Sequence, residues 1–417
     1  MNVDDLILFS VDDHVIEPPD MFDDHVPAKY ADAAPKVVRD DNGMENWVFQ
    51  GIVAGSMGLN AVVSWPKDEW GFNPTTFAEM RPGCYDVHER IRDMNRNGIL
   101  GSMNFPTFAG FSARTFLEAS DKETSLVMLQ AYNDWHIDEW CAAYPERLYP
   151  IGLVPLWDMD LMAAEVRRLA DKGCRTISLP ELPYIQNLPS FHSDVWDPVF
   201  TACCDTGVVV NLHIGIGYEA LRLSPDAPID HLPILATQVS ALAATDFLFG
   251  PAYRKYPDLK VAYAEGGIGW IPFFLDRCDR HYENQQWSDQ DFGGKLPSEV
   301  FREHTLACFV TDPTSLKLAD DIGIGNIAWE CDYPHSDCLW PDAPEKLHAE
   351  TAAAGLSDEQ INRITWQNAA EFFGIDPFAN ISQADATVGA LRALSPDVET
   401  DIVSRSEWRR RYESVST

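Results

Sequence analysis

Residues 6–14 read LILFSVDDH. An apolar run from Leu6 to Val11 ends abruptly in Asp12, Asp13 and His14. A short run apolar on both faces fits a parallel strand covered on both sides. The polar cluster at its end fits the exit of such a strand into a loop. The same pattern recurs along the chain: ILGSMNFP (99–106), YPIGLVPL (149–156), RTISLPE (175–181), VVVNLHIG (208–215), LKVAYAEGG (259–267), ACFVTD (307–312) and IGNIAWECD (324–332). Nearly every run is followed by a segment of helical periodicity. Asp86 can cap a helix with apolar Val87, Ile91 and Met94, stopped by Gly98. Helices are expected over 117–143, 160–172, 194–206, 232–255, from 268 to 282, and at 343–354 and 357–373. Alternating strands and helices define an α/β protein with a parallel sheet. Eight such strands in order predict a distorted (β/α)8 barrel.

A barrel of this kind needs roughly 250 residues, and the chain has 417, of which 46% are apolar. The surplus falls in two places. Residues 18–84, rich in Pro, Gly, Asp and Trp, are too long for a simple loop. They are expected to form an insertion or lid after the first strand, with WVFQGIVAG (47–55) in a small hairpin. Residues 1–376 make the barrel domain, and 377–417 a C-terminal extension with the basic patch Arg409, Arg410 and Arg411.

The formal charge of −34 excludes nucleic acid as a natural partner, because a polyanion repels phosphate backbones. No run approaches the ~20 apolar residues of a membrane span. The N-terminus lacks the basic start and long apolar stretch of a signal peptide. Nine cysteines without framework spacing fit reduced thiols in a cytoplasmic protein. Cys331 and Cys338 do not match common zinc-ribbon spacing and are read as packing residues.

Barrels of this class carry their active sites at the C-terminal ends of the strands. Those ends present Asp12 and His14, then Glu181, His213, Glu265 and Asp332, with His335 three residues further on. Asp12 and His14 lie two apart and so share a face of an extended strand, although Asp13 is the alternative inward residue. Two imidazoles and two carboxylates suit Zn2+, Mn2+ or Fe2+, with positions left for water or a small-molecule substrate. Glu17 either orients His14 or tethers its loop. His192 either lines the pocket or caps the following helix. Arg81, in FAEMRPGCYD (77–86), can hold a substrate carboxylate if the insertion covers the mouth.

Four segments carry a family resemblance: SVDDHVIEPPDMF (10–22), WDPVFTACCDTGVVVNLHIG (196–215), AYAEGGIGWIPFFLDRCD (262–279) and IAWECDYPHSD (327–337). They resemble the amidohydrolase-related branch of the amidohydrolase superfamily, which includes the aminocarboxymuconate-semialdehyde decarboxylase-like enzymes. The resemblance implies that Asp12, His14, His213 and Asp332 hold one divalent cation, with two possible if Glu265 takes part. It implies that Asp332, Glu265 and His335 serve catalysis, and that the chain forms a homodimer. Two departures stand out. The first-strand pair is Asp-x-His rather than His-x-His, which tilts the metal from Zn2+ towards Mn2+ or Fe2+. The decarboxylases place a histidine at the end of strand six, where this chain has Glu265. That carboxylate can act as a general base, take a second metal, or pair with an arginine such as Arg81 or Arg277. Its presence favours a hydrolase that activates water on the metal to cleave a C–N, C–O or C–C bond of a small, bulky apolar molecule. Non-oxidative decarboxylation of an aromatic or unsaturated acid is the alternative.

Overall fold

The computed structural model describes residues 1–55, 57–71 and 73–413, apart from the side chains of Ile216, Tyr218 and Glu219. Its contacts divide the chain into two compact units. Unit 1 comprises Met1–Pro155, Glu330–His348 and the chain from Asp376 onward, and unit 2 comprises Leu156–Trp329 and Ala349–Ile375.

Unit 1 opens with β1 (Leu8–His14), every residue of which is buried. The insertion carries an antiparallel sheet of β2 (Lys36–Arg39), β3 (Glu45–Phe49) and β4 (Ile52–Val53) in that order. β5 (Ile99–Phe105) and β6 (Leu148–Pro150) then join β1 in a parallel sheet ordered β1-β5-β6. The expected strand at 149–156 stops at Pro150, which has no N–H to extend the ladder. The Val87–Asn97 helix starts as expected: the Asp86 carboxylate accepts from the backbone N–H groups of His88 and Glu89, and Gly98 ends it at φ 71°. The helix expected over 117–143 is broken in two. Asp121 caps a fresh start at Lys122–Trp135, which continues into a widened turn at His136–Cys141.

The C-terminal segment is woven into unit 1. Val388 N–H donates to Leu6 O at 2.8 Å and Val403 N–H to Ser64 O at 2.8 Å. Trp408 and Val403 pack with Val62 and Trp65 of the insertion. The basic patch is neutralised locally: Arg409 pairs with Glu79, Arg410 with Glu407, and Arg411 with Glu399 and Glu407.

Unit 2 holds one parallel sheet of β7 (Thr176–Leu179), β8 (Val209–His213), β9 (Val261–Ala264), β10 (Thr305–Phe309) and β11 (Ile327–Trp329), neighbours in chain order. All their residues are buried, which explains their continuous apolar sequences. Helices at Met159–Asp171, Asp197–Thr206, Thr237–Phe249 and Ile271–Asn284 alternate with these strands. Three parallel strands followed by five, most of them leading into helix, give the strand and helix inventory of a (β/α)8 fold. The His231–Phe249 stretch, 19 residues, is long and apolar enough by length and composition to cross a bilayer. The sequence reading did not expect such a run. Its Val239, Ala243, Phe247 and Leu248 are buried in unit 2, within a window that is 39% buried.

Candidate metal centre

The end of β1 is held from both sides. Asp332 N–H donates to Asp12 O at 2.9 Å and His14 N–H to Tyr333 O at 2.7 Å, so residues 332–333 run beside β1 like a further strand. Cys331 N–H donates to Ser10 Oγ at 2.8 Å. Against β5, Ser10 faces Ser102 and Asp13 faces Asn104, so β1 carries one extra residue between them. This bulge re-aims the side chains and settles which aspartate faces His14. Asp13 turns away from it, accepting from Ser102 Oγ, from Ser10 Oγ at 3.2 Å and from Tyr333 N–H at 2.9 Å. Burial lifts the Asp13 carboxyl to about 6 against the opposing pull of Arg90 and these donors.

Asp12 stays beside His14. His14 Nε2 lies 3.4 Å from Asp12 Oδ1 and 3.4 Å from Asp332 Oδ1. His335 Nδ1 is 2.8 Å from Asp332 Oδ1, and the His14 and His335 rings sit 3.9 Å apart at 31°. All four side chains are buried. Ligand atoms of His14, Asp332 and His335 lie within 4.8 Å of one another. Asp332 adopts a left-handed backbone at φ 58°, strained for a side-chain-bearing residue. Burial pushes the Asp12 carboxyl well above the usual range, and the charges of Asp332 and Asp13 push it further. Two buried carboxylates this close favour a bound cation. Donors about 2.1 Å from one ion stand about 3.0–3.5 Å apart, and carboxylate with imidazole suits a first-row divalent metal. The residues of unit 1 fit such an ion.

Arg90 supports this cluster and was not singled out from sequence. Fully buried, it donates to His14 O at 2.6 Å and Gly83 O at 2.6 Å, and its guanidinium lies 4.4 Å from the Tyr333 ring centre. A signal was available: Arg90 shares the helical stripe of Val87, Ile91 and Met94, where a charge has reason to be buried only if it is paired.

Arg81 is committed elsewhere. Its Nε and Nη2 grip Asp93 at 2.6 and 2.7 Å, and Nη2 also reaches Glu399 O at 2.9 Å. Its plane lies 4.1 Å from the Trp340 ring, and Tyr333 Oη donates to the same Asp93 at 2.6 Å. The fork expected to hold a substrate carboxylate therefore holds Asp93. Only 6% exposed, Arg81 ties insertion, helix, tail and the Asp332 loop together. Glu17 does not reach His14 either. It accepts from the backbone N–H groups of Thr107 and Phe108, both at 2.8 Å, and from Tyr132 Oη at 3.0 Å. That anchors the loop after β5, whose Phe111 packs 5.0 Å from the His14 ring. Burial outweighs these three donors and lifts the Glu17 carboxyl to about 7.

In unit 2, His213 is buried at the C-terminal end of β8. Its Nδ1 lies 2.6 Å from Ile214 O. A carbonyl only accepts, so Nδ1 carries the proton and Nε2 the lone pair, the tautomer in which an imidazole binds a metal or takes a proton. Glu265, at φ 53° just past β9, places Oε2 3.5 Å from that Nε2. The Glu265 carboxylate thus faces His213. Glu181 is buried and accepts weakly from Gly217 N–H at 3.4 Å. His192 is no helix cap. Ser193 Oγ performs that role for Val195 N–H, while His192, its side chain 49% exposed, pairs with Asp246 at 2.5 Å. Asp12, His14, Asp332 and His335 thus come together in unit 1, and His213 with Glu265 in unit 2.

A parallel α/β fold with carboxylate and imidazole donors at strand ends defines a class of metal-binding enzyme scaffolds. The chain belongs to the amidohydrolase family, whose model matches residues 25–375. It is 25% identical over 311 residues to 2-amino-3-carboxymuconate-6-semialdehyde decarboxylase of Dictyostelium discoideum, covering 72% of this chain and 80% of that protein. The fold is similar to that of an amidohydrolase from Mycobacterium avium subsp. paratuberculosis K-10, with TM-score 0.70, 20% identity, and 88% of this chain and 99% of that one covered. It is also similar to 5-carboxyvanillate decarboxylase from Novosphingobium aromaticivorans DSM 12444, solved with bound manganese and a substituted nitrobenzoic acid. There the TM-score is 0.62 at 16% identity, over 90% of this chain and 99% of that one.

Proposed function

We propose that the protein is a metal-dependent carboxy-lyase that removes CO2 non-oxidatively from a small aromatic or unsaturated carboxylic acid. The observation that carries this reading is the buried Asp12, His14, Asp332 and His335 cluster, in a chain similar to a named decarboxylase over most of its length. The hydrolase expected first from sequence gives way, because the relative matched over 80% of its length is named a decarboxylase, as is the similar manganese-bound structure. Asp12, His14 and Asp332 would hold one divalent ion, with Mn2+ the first choice. The ion would hold the substrate carboxylate and a neighbouring oxygen and draw electron density from the carbon that loses CO2.

The rest belongs to the chain. Asp332 and His335 share a proton across their 2.8 Å contact. That proton passes to the substrate carbon as its bond to the carboxylate breaks. The C–H bond replaces the C–C bond, CO2 leaves, and solvent restores the proton. Phe111 and Phe105, packed 5.0 and 5.8 Å from the His14 ring, exclude water and present an apolar wall to the substrate. Glu265, in place of the family's histidine, keeps hydrolysis as a second reading, with this carboxylate as base.

The test is to load the protein with Mn2+ and offer hydroxybenzoates, carboxyvanillates and muconate-type acids beside esters and lactones. CO2 release from an acid, lost in Asp332→Asn, is the expected result. Hydrolysis of an ester or lactone with no CO2 from any acid would overturn the reading.

A further inference from the structure

We propose that Cys331 and Cys338 form an oxidisable thiol pair that closes a disulfide across the loop bearing Asp332 and His335. Its consequence for turnover rests on the function proposed above; its chemistry does not. The two sulfurs lie 3.6 Å apart and seven positions apart in sequence, and both residues belong to unit 1. A disulfide requires about 2.05 Å, so one sulfur has to move.

The surroundings decide which. Cys331 is buried, its N–H is held by Ser10, and its sulfur accepts from Asn97 Nδ2 at 3.5 Å. Cys338 is partly exposed, and its sulfur accepts from Trp340 N–H at 3.3 Å. Cys338 is therefore both the sulfur that an oxidant reaches and the one that shifts.

With a peroxide as oxidant, the Cys338 sulfur attacks one peroxide oxygen. The O–O bond breaks, hydroxide leaves, and Cys338 becomes a sulfenic acid. The Cys331 sulfur then attacks the Cys338 sulfur. The S–S bond forms, the S–O bond breaks, and water leaves with the Cys331 proton. Two thiols are oxidised, and one peroxide is reduced to two waters.

The shift reaches the metal cluster through the backbone. Cys338 N–H donates to His335 O at 3.2 Å, and His335 N–H to Asp332 O at 2.9 Å. Drawing Cys338 inward drags the turn carrying His335, while Asp332 stays fixed beside Cys331 and Asp12. The 2.8 Å contact between His335 and Asp332 is lost in the oxidised form, which idles until a dithiol reduces it.

The experiment treats the Mn2+-loaded full chain with stoichiometric hydrogen peroxide and maps peptides by mass spectrometry. The expected product is a Cys331–Cys338 crosslink, about 2 Da lighter than the dithiol peptide, reversed by dithiothreitol and absent in Cys338→Ser. Turnover of the crosslinked form should fall by at least about tenfold and return on reduction, while Cys338→Ser keeps its activity through the treatment. Cys338 appearing only as sulfinic or sulfonic acid, without a crosslink, would overturn the pair. A quantitative crosslink with undiminished turnover would overturn the switch. If no acid is turned over at all, the crosslink still decides the pair, and the Mn2+ affinity of reduced against oxidised protein decides its link to the cluster.

Discussion

Replacing Glu17 by Gln separates the charge of a buried carboxylate from its hydrogen bonds. Glu17 accepts from two backbone N–H groups and one phenol while its carboxyl is lifted from 4.5 to about 7. Between those values the folded chain retains a proton that the unfolded chain has released. Stability therefore falls as pH rises through this window and levels off above it. A shift of about 2.5 units at ~1.4 kcal/mol per unit makes the loss about 3 kcal/mol. Glutamine is neutral throughout and contributes no slope. Its amide NH2 must instead face one of the N–H donors of Thr107 and Phe108, which costs about 1–3 kcal/mol at every pH. Glu17→Gln should therefore be the less stable protein near pH 4.5 and should draw level with or overtake the wild type by pH 8. Urea unfolding of the metal-free proteins, followed by tryptophan fluorescence across that range, measures the difference directly. Contributions from Asp12 and Asp13 are common to both proteins and cancel. Two stability profiles that run parallel from pH 4.5 to 8 would refute the reasoning.

Arg90→Met removes the donors to His14 O and Gly83 O, and equilibrium dialysis should show Mn2+ affinity falling about 10–100-fold; unchanged affinity would mean that β1 alone fixes His14. Arg81→Met strands Asp93 as a buried charge and should cost about 3–5 kcal/mol in urea unfolding. Because Arg81 is bound to Asp93, the variant should keep the KM of whatever acid is turned over, whereas a large KM rise with unchanged stability would restore Arg81 as a substrate clamp.

Much of the scaffold was legible because buried parallel strands are written as uninterrupted apolar runs. VVVNLHIG and LKVAYAEGG announce β8 and β9 without homologous sequences to compare. Capping was equally plain at Asp86 and Gly98. What escaped was non-local. The bulge in β1 depends on how Ser10 and Asp13 register against β5, so the choice between Asp12 and Asp13 could not be read from a two-residue spacing. The partner of Arg81 lies on the following helix, and its second contact, Glu399 O, is 318 positions away. Glu17 and His192 were read as neighbours of the site from chain proximity alone, yet their hydrogen bonds lead to the loop after β5 and to Asp246. Charge on an apolar stripe, as at Arg90, was the one overlooked signal present in sequence.

The central claim is that Asp12, His14 and Asp332 form the heart of a metal site. Its most direct test is the manganese content, by elemental analysis, of wild type and of His14→Ala/Asp332→Asn, each purified without chelator from manganese-supplemented cells and checked for native fold by circular dichroism. The account predicts about one equivalent per wild-type chain and almost none in the folded double variant. A wild-type chain free of divalent metal, or a double variant that retains its full equivalent, would contradict it.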